Sequence, residues 1–224
     1  GIVFDLDDTL INQKQWIISK LEILWARFKQ DLPEKETFMV KAIQTIEEGN
    51  RSKVFDALSE EFLFSVGFKK RLITAYRDIE PEDCPIFPDV LPVLKKLSSM
   101  HYKLALLTDN PPESQKQKIR ACNFGHLFDS IVYSQELNQE KPSKTVFEQV
   151  SRALKIPPQS LIMVGDNLYK DIVGSFEANF KSAYWLAREG TFYNFDQKVF
   201  SSLFKDRYNF KKINNLRSLL WHLQ

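Results

Sequence analysis

The chain has little of what marks several large classes of protein. Its two cysteines among 224 residues, Cys84 and Cys122, are too few for a disulfide framework, and neither stands in a CxxC or Cys/His array. Both read as ordinary thiols of a reducing compartment, which makes the cytoplasm the expected location. His101, His126 and His222 are scattered, without the spacing of metal ligands. Neither sign of charge dominates, since 31 basic side chains stand against 29 acidic ones for a formal +2, and that balance gives no electrostatic footing for nucleic acid or an anionic membrane. No apolar run approaches the roughly 20 residues that cross a bilayer, and the first residues lack the basic start and cleavage site of a secretion signal. Internal repeats and low-complexity tracts are absent as well. What remains is the expectation of a soluble globular chain, 43% apolar and 27% charged, long enough to bury a core without help from a partner. Because Ile2-Val3-Phe4 is already a strand in progress behind a glycine that is not methionine, the natural chain is expected to begin earlier.

What is present changes texture twice, soon after Leu10 and again around Pro85 to Pro88. Outside these points, short β-like apolar runs alternate with amphipathic stretches, the pattern of an α/β domain with a mostly parallel sheet. Strands are expected at Ile2 to Phe4, Lys103 to Thr108, Ser130 to Tyr133, Leu161 to Val164 and Lys181 to Trp185. Leu104-Ala105-Leu106-Leu107 is continuously apolar, as when helices cover both faces of a sheet. Helices are expected after Asp89, after Pro111-Pro112 to about Asn123, after Ser143 until Pro157-Pro158, and from Asp171 to Ala178, with Asp89 and Ser143 as caps and Asn179 as a left-handed stop. Residues 12–85 read as a helical insertion, with helices at Trp16 to Phe28, Lys35 to Glu48, Lys53 to Phe64 and Phe68 to Arg77. The predicted organisation is thus an α/β, Rossmann-like core of residues 1–11 and 86–224 carrying an all-helical domain of residues 12–85. Thr191 to Tyr208 is aromatic-rich and read as core cover, and Ile213 to Leu223 as a closing helix.

In a parallel sheet, ligands bind at the carboxyl ends of the strands, so the residues that follow each strand are the informative ones. Asp5-Leu6-Asp7-Asp8-Thr9 follows the first strand, Thr108-Asp109-Asn110 the second, and Gly165-Asp166 a later one, with Asp171 five residues on and Lys141-Pro142 before a helix. In this order, spread over nearly the whole chain, these segments resemble the four motifs of the haloacid dehalogenase-like superfamily, and the insertion after the first of them resembles that family's helical cap. A lone DxD carries little, because acidic turns are common; four landmarks at successive strand ends are specific.

The resemblance implies a chemistry that fits these residue types. Asp5 would attack phosphorus and form an aspartyl-phosphate, dividing one difficult displacement into two easier ones. Two anions meet in that step, so a hard cation is expected: magnesium, held by Asp5 and Asp166, with the backbone carbonyl of Asp7 added by the resemblance. Lys141 would supply a fixed positive charge, Thr108 a hydroxyl to a phosphoryl oxygen, and Asp171 support for the metal site or Lys141 from behind. Asp7 would act as general acid and then as general base. Carbon–halogen displacement needs neither that acid nor a metal, so a phosphatase acting on a small phosphorylated metabolite is the expected function. A phosphomutase, a dehalogenase and a catalytically silent binding module are the alternatives. Where many relatives have Asn after the motif Thr, this chain has Asp109, which is harmless if only its backbone N–H meets phosphate and adds repulsion to an anionic site if its carboxylate points inward. Asp8 reads as structural or exposed, and the four tryptophans, Trp16, Trp25, Trp185 and Trp221, as packing residues. Arg51 and Lys53, in the loop Gly49 to Lys53, either read a second anionic group of the substrate or simply solvate an interhelical loop.

Overall fold

The computed structural model describes residues 1–191 and 207–223. Its centre is a six-stranded parallel sheet of β1 (Ile2–Phe4), β2 (Leu104–Thr108), β3 (Ser130–Tyr133), β4 (Ile162–Gly165), β5 (Ser182–Leu186) and β6 (Lys211–Ile213), in the order β3-β2-β1-β4-β5-β6. All residues of β1, β2 and β4 are buried, which is why these segments read as unbroken apolar runs and not as alternating ones. From β1 the chain continues to β2 on one side and later returns to β4 on the other. The order therefore reverses at β1, and the carboxyl end of that strand is where ligands bind in sheets of this kind.

Helices α5 (Val90–Ser99), α6 (Pro112–Cys122), α7 (Lys144–Leu154) and the short α8 (Gly174–Glu177) connect the strands, and α9 (Arg217–His222) closes the described chain. Helix α7 buries Val146, Phe147, Val150 and Leu154 at helical spacing against Val3, Ala105, Leu107 and Met163 of the sheet. It ends in the left-handed Lys155, two residues before Pro157. Asn123 and Asn179 take the left-handed conformation where helices stop.

By internal packing the chain divides into two units, Gly1–Gln13 with Pro85–Gln224, and Lys14–Cys84. The second is helical, formed by the bulk of α1 (Gln13–Phe28) and by α2 (Lys35–Glu47), α3 (Val54–Glu61) and α4 (Val66–Asp78). Its link at Leu32-Pro33 is fastened by Trp25, whose indole Nε1 donates to the Pro33 carbonyl at 2.9 Å. Ser65 caps α4 by accepting from the Phe68 N–H at 3.1 Å.

Several expectations need correction. Residues 213–223 are not one helix: Lys211–Ile213 pairs with β5 as an edge strand, and the helix begins only at Arg217. Three residues, of which Ile213 alone is buried, are too few for a period-2 pattern to register. The segment expected as a helix from Asp171 begins earlier, in a π-helical stretch Leu168–Val173 whose first N–H groups donate to the Asn167 side chain. Neither Asp89 nor Ser143 caps its helix through its side chain. Asp89 instead pairs with buried Arg188 at 2.9 Å and accepts from the Leu216 N–H at 2.6 Å, while Arg188 Nε donates to the Thr9 carbonyl at 3.1 Å and its guanidinium lies 4.0 Å from the Phe87 ring centroid. One ion pair thus ties the first-strand loop, the start of α5 and the C-terminal segment together. Trp221 is 75% exposed and is no packing residue. Neither Cys84 nor Cys122 is a free thiol, against the expectation of ordinary thiols. Spacing alone carries no information on whether they are free, and the thiol argument for a reducing compartment falls away with that expectation. Most of the aromatic-rich segment 191–208 lies outside the described residues; at its end, Tyr208 stacks on Phe176 with centroids 5.5 Å apart. No described helix is long and apolar enough to cross a membrane.

Phe147 anchors the α7 layer: it is fully buried, meets Phe180 edge-on at 5.5 Å, and lies so near Gly174 that an added Cβ there would stand 2.7 Å from its ring. Phe147→Ala is expected to destabilise the protein by about 3–5 kcal/mol, measured as a shift of the denaturation midpoint at unchanged slope.

Candidate active site

The three central strands each deliver a polar group to one edge of the sheet. Asp5 leaves β1, its own N–H still donating to the Val164 carbonyl of β4 at 3.0 Å. Thr108 ends β2, and Asp166 follows Gly165 at the end of β4, where the Trp185 indole holds the Asp166 carbonyl at 2.9 Å. Asp171 returns to the same place from the π-helical stretch. It fits because position 165 is glycine: a Cβ there would lie 2.3 Å from Asp171 Oδ2. The backbone then turns sharply at Asp8, whose φ of 59° is in the left-handed region. The side chain of Asp8 accepts from the Gln13 N–H at 3.0 Å, which is the structural role expected of it.

Lys141 Nζ lies at the middle of this edge. It is 2.6 Å from Asp5 Oδ1, 2.7 Å from Asp171 Oδ1 and 3.3 Å from the Leu107 carbonyl, and the residue is 4% exposed. Burial works against its charge, but Asp171, Asp5 and Asp109 outweigh burial and hold the ammonium well above its ordinary pKa. Asp109 answers the question raised by its departure from the usual Asn. Its Oδ1 accepts from Ser134 Oγ at 2.8 Å and from the Lys141 N–H at 3.0 Å, and its Oδ2 pairs with Lys170 at 3.0 Å. Against burial, Lys141 and Lys170 keep the Asp109 carboxyl below its usual range. The carboxylate is therefore spent on holding the Lys141 backbone.

One lysine does not balance the carboxylates around it. Oxygens of Asp5, Asp166 and Asp171 lie within 4.8 Å of one another, all three residues buried. Desolvation, aided by neighbouring carboxylates, raises the pKa of Asp5 to about 7 and that of Asp166 well above the usual range. Burial also raises Asp171, against the pull of Lys141. Asp166 Oδ2 is buried without a hydrogen-bond partner among the described residues. Hard oxygen donors, surplus negative charge and an orphaned carboxylate oxygen are what a divalent cation needs. Asp171 is less free to ligate, since Oδ1 serves Lys141 and Oδ2 accepts from the Asn167 N–H at 3.0 Å.

Asp7 sits apart from that cluster. Its Oδ1 pairs with Lys118 at 2.5 Å, and its Oδ2 accepts from Asn110 at 2.7 Å and from Gln115 at 2.9 Å. Burial pushes its pKa up, but Lys118 and the two amides outweigh burial and hold it below the ordinary value. Thr108 Oγ1 is 2.5 Å from the same Gln115 amide. Sequence reasoning missed Asn110, Gln115 and Lys118, although a signal was present. The buried stripe of α6 is Gln115, Lys118, Ile119 and Cys122, so two polar residues occupy a core-facing face and need partners there. Arg51 and Lys53 lie in the helical unit, in a 3-10 turn directly before α3, with Lys53 exposed.

With this geometry in place, comparison with known proteins is decisive on one point. Residues 2–185 match the family described as haloacid dehalogenase-like hydrolase. The chain belongs to that family. Among relatives of this haloacid dehalogenase-like hydrolase is the glyceraldehyde 3-phosphate phosphatase of Methanopyrus kandleri, 29% identical over 186 residues, which span 80% of either chain. The N-acylneuraminate-9-phosphatase of Rattus norvegicus is 35% identical over 102 residues, 46% of this chain and 41% of the relative. In fold it is similar to YfnB of Bacillus subtilis, a structure bound to magnesium, with a TM-score of 0.69, 21% identity, and coverage of 99% of this chain and 96% of the other. A 2-haloacid dehalogenase of Pseudomonas syringae gives a TM-score of 0.62 at 22% identity, over 99% and 96% of the two chains. At such identities a structural likeness speaks to the fold alone.

The carboxylate cluster makes stability depend on pH and cation together. The folded-state pKa of Asp5 lies above its unfolded value, so ionisation favours unfolding, and the metal-free protein should lose stability as pH rises from 3.8 to about 7. A divalent cation restores it, by about 2.7 kcal/mol at a hundred times its dissociation constant. In thermal unfolding with and without magnesium, the shift is expected to grow with pH across this window and to shrink in Asp166→Asn. An equal shift in both proteins would count against the cluster as the cation site.

Proposed function

We propose that the chain is a magnesium-dependent phosphatase that hydrolyses a small phosphomonoester through an aspartyl-phosphate on Asp5. The observation that carries this reading is the division of labour between two carboxylates two residues apart. Asp5 faces Lys141 and the anionic cluster, whereas Asp7 is held by a separate set of donors. Paired carboxylates in contrasting environments suit different roles, one as nucleophile and the other as proton carrier.

In the first step an Asp5 oxygen attacks phosphorus and the bond from phosphorus to the ester oxygen breaks, while the departing oxygen takes a proton from Asp7. Lys118 keeps that carboxyl ionised in the free protein, so the proton enters with a phosphomonoester bound as its monoanion and passes through Asp7. In the second step water attacks the phosphoryl group and gives a proton to the Asp7 carboxylate. The bond from phosphorus to Asp5 breaks, the Asp5 carboxylate is regenerated, and inorganic phosphate departs, taking back the proton that Asp7 received from water. Lys141 holds Asp5 in place by its 2.6 Å contact and supplies fixed positive charge, and Thr108 offers its hydroxyl proton to a phosphoryl oxygen. Magnesium would be held by Asp5 and Asp166 together with the Asp7 backbone carbonyl, and it offsets negative charge on the phosphoryl oxygens when bound. Asp171 keeps Lys141 in position.

The names of the relatives support a phosphorylated small molecule as substrate, since both are phosphatases of sugar-like phosphates. Inorganic phosphate should be released from members of a panel that includes glyceraldehyde 3-phosphate and N-acylneuraminate 9-phosphate, and chelation should stop it. Asp5→Asn should abolish turnover, and Asp7→Asn should lower it by about 10²–10⁴-fold. Full turnover by Asp5→Asn would sink the mechanism. Isomer formation without phosphate would point to a mutase, and halide release without metal to a dehalogenase.

A further inference from the structure

Helix α6 is strongly polar, yet it turns Gln115, at 0% exposure, and Lys118, at 3%, inward. Burying an amide and an ammonium is costly unless specific partners meet them. Here both are aimed at one carboxylate. Lys118 Nζ is 2.5 Å from Asp7 Oδ1, and Gln115 Nε2 is 2.9 Å from Asp7 Oδ2 and 2.5 Å from Thr108 Oγ1. Asn110 fills the remaining direction on Oδ2 at 2.7 Å. Since Thr108 Oγ1 accepts from the Gln115 amide, its own proton is left to point elsewhere. Gln115 Oε1 has no partner among the described residues, so the amide is not placed to satisfy all of its own hydrogen bonds.

We propose that Gln115 and Lys118 are positioning residues for proton transfer, fixing the Asp7 oxygens relative to Thr108 so that one helix face sets the distance between the acid–base group and the phosphoryl-binding hydroxyl. This inference rests on the phosphatase reading given above. Asp7 lies three residues beyond β1 and Thr108 ends β2, and one amide bridges their side chains. Proton transfer to a leaving oxygen needs the carboxyl within hydrogen-bond reach, and a misplacement of about 1 Å costs on the order of 10²-fold in rate. The i, i+3 spacing of Gln115 and Lys118 puts both on the same face of α6, so a single helix supplies the whole clamp apart from Asn110.

The test uses the dependence on the leaving group, which a purely structural role would not change. An alkyl phosphate that the wild-type protein hydrolyses needs its leaving oxygen protonated, whereas p-nitrophenyl phosphate does not. Lys118→Met and Gln115→Leu should lose about 10²-fold in kcat on the alkyl ester, with KM little changed, and several-fold less in the first step on the aryl ester. Hydrolysis of the phosphoenzyme also uses Asp7, so these variants should show a burst of p-nitrophenol followed by slow turnover. Lys118→Arg should restore most of the alkyl activity. Gln115→Asn, which keeps the amide but shortens its reach, should give the same split if Gln115→Leu fails to fold. Equal losses in the first, phosphorylating step on both substrates, or none, would overturn the inference while leaving the phosphatase reading intact. Failure of the wild-type protein to hydrolyse either ester would overturn both.

Discussion

The contact on which the site depends is the one between the buried ammonium of Lys141 and the carboxylates of Asp5 and Asp171. Asp5 arrives on the central strand, Asp171 by the π-helical stretch after β4, and Lys141 from the segment that precedes α7, so the ion pairs gather three distant parts of the chain at one strand edge. Removing either anion would leave a charged group buried with less compensation, which is more damaging than never having built the pair. The surrounding structure is arranged to keep Lys141 there. Asp109 takes its backbone N–H, Ser134 and Lys170 hold Asp109, and Gly165 leaves room for Asp171.

One cation among three close carboxylates still leaves excess negative charge, and this explains how the site can be both anionic and suited to an anionic substrate. The surplus, together with the orphaned Asp166 oxygen, suits a divalent cation, which under the proposed phosphatase reading would bring the positive charge that a phosphoryl group requires. Asp7 is withheld from this cluster by Lys118, Gln115 and Asn110. Its chemistry can therefore differ from that of Asp5, although only Leu6 separates the two in sequence. The same turn that buries Leu6 sends the two carboxylates into different surroundings.

The core strands were legible because burial on both faces writes itself as continuous apolar runs, and once the strand ends were located, the polar residues after them marked the site. Asp5, Asp171 and Lys141 do meet, and Asp166 joins them. What could not be read were contacts that depend on distant pairing. Asp89 looks like a helix cap until Leu216 and Arg188 arrive from far along the chain. Lys118 looks like one more surface lysine of a polar helix until the helix is turned so that its buried stripe is known. Edge strand β6 is too short to show a period, and whether two cysteines are free thiols leaves no trace in their spacing. The role of Asp109 was open for a similar reason, because its partners Ser134 and Lys170 lie 25 and 61 residues away.

The central claim is that Asp5 becomes covalently phosphorylated. The most direct measurement is mass spectrometry of the peptide carrying Asp5 after rapid acid quenching of the protein mixed with magnesium and a phosphomonoester that it hydrolyses. The account predicts a phosphoryl group on Asp5, formed within one turnover, longer lived in Asp7→Asn with an aryl phosphate, and absent in Asp5→Asn. Phosphate release at full rate with no modification of Asp5 at any quench time would contradict it.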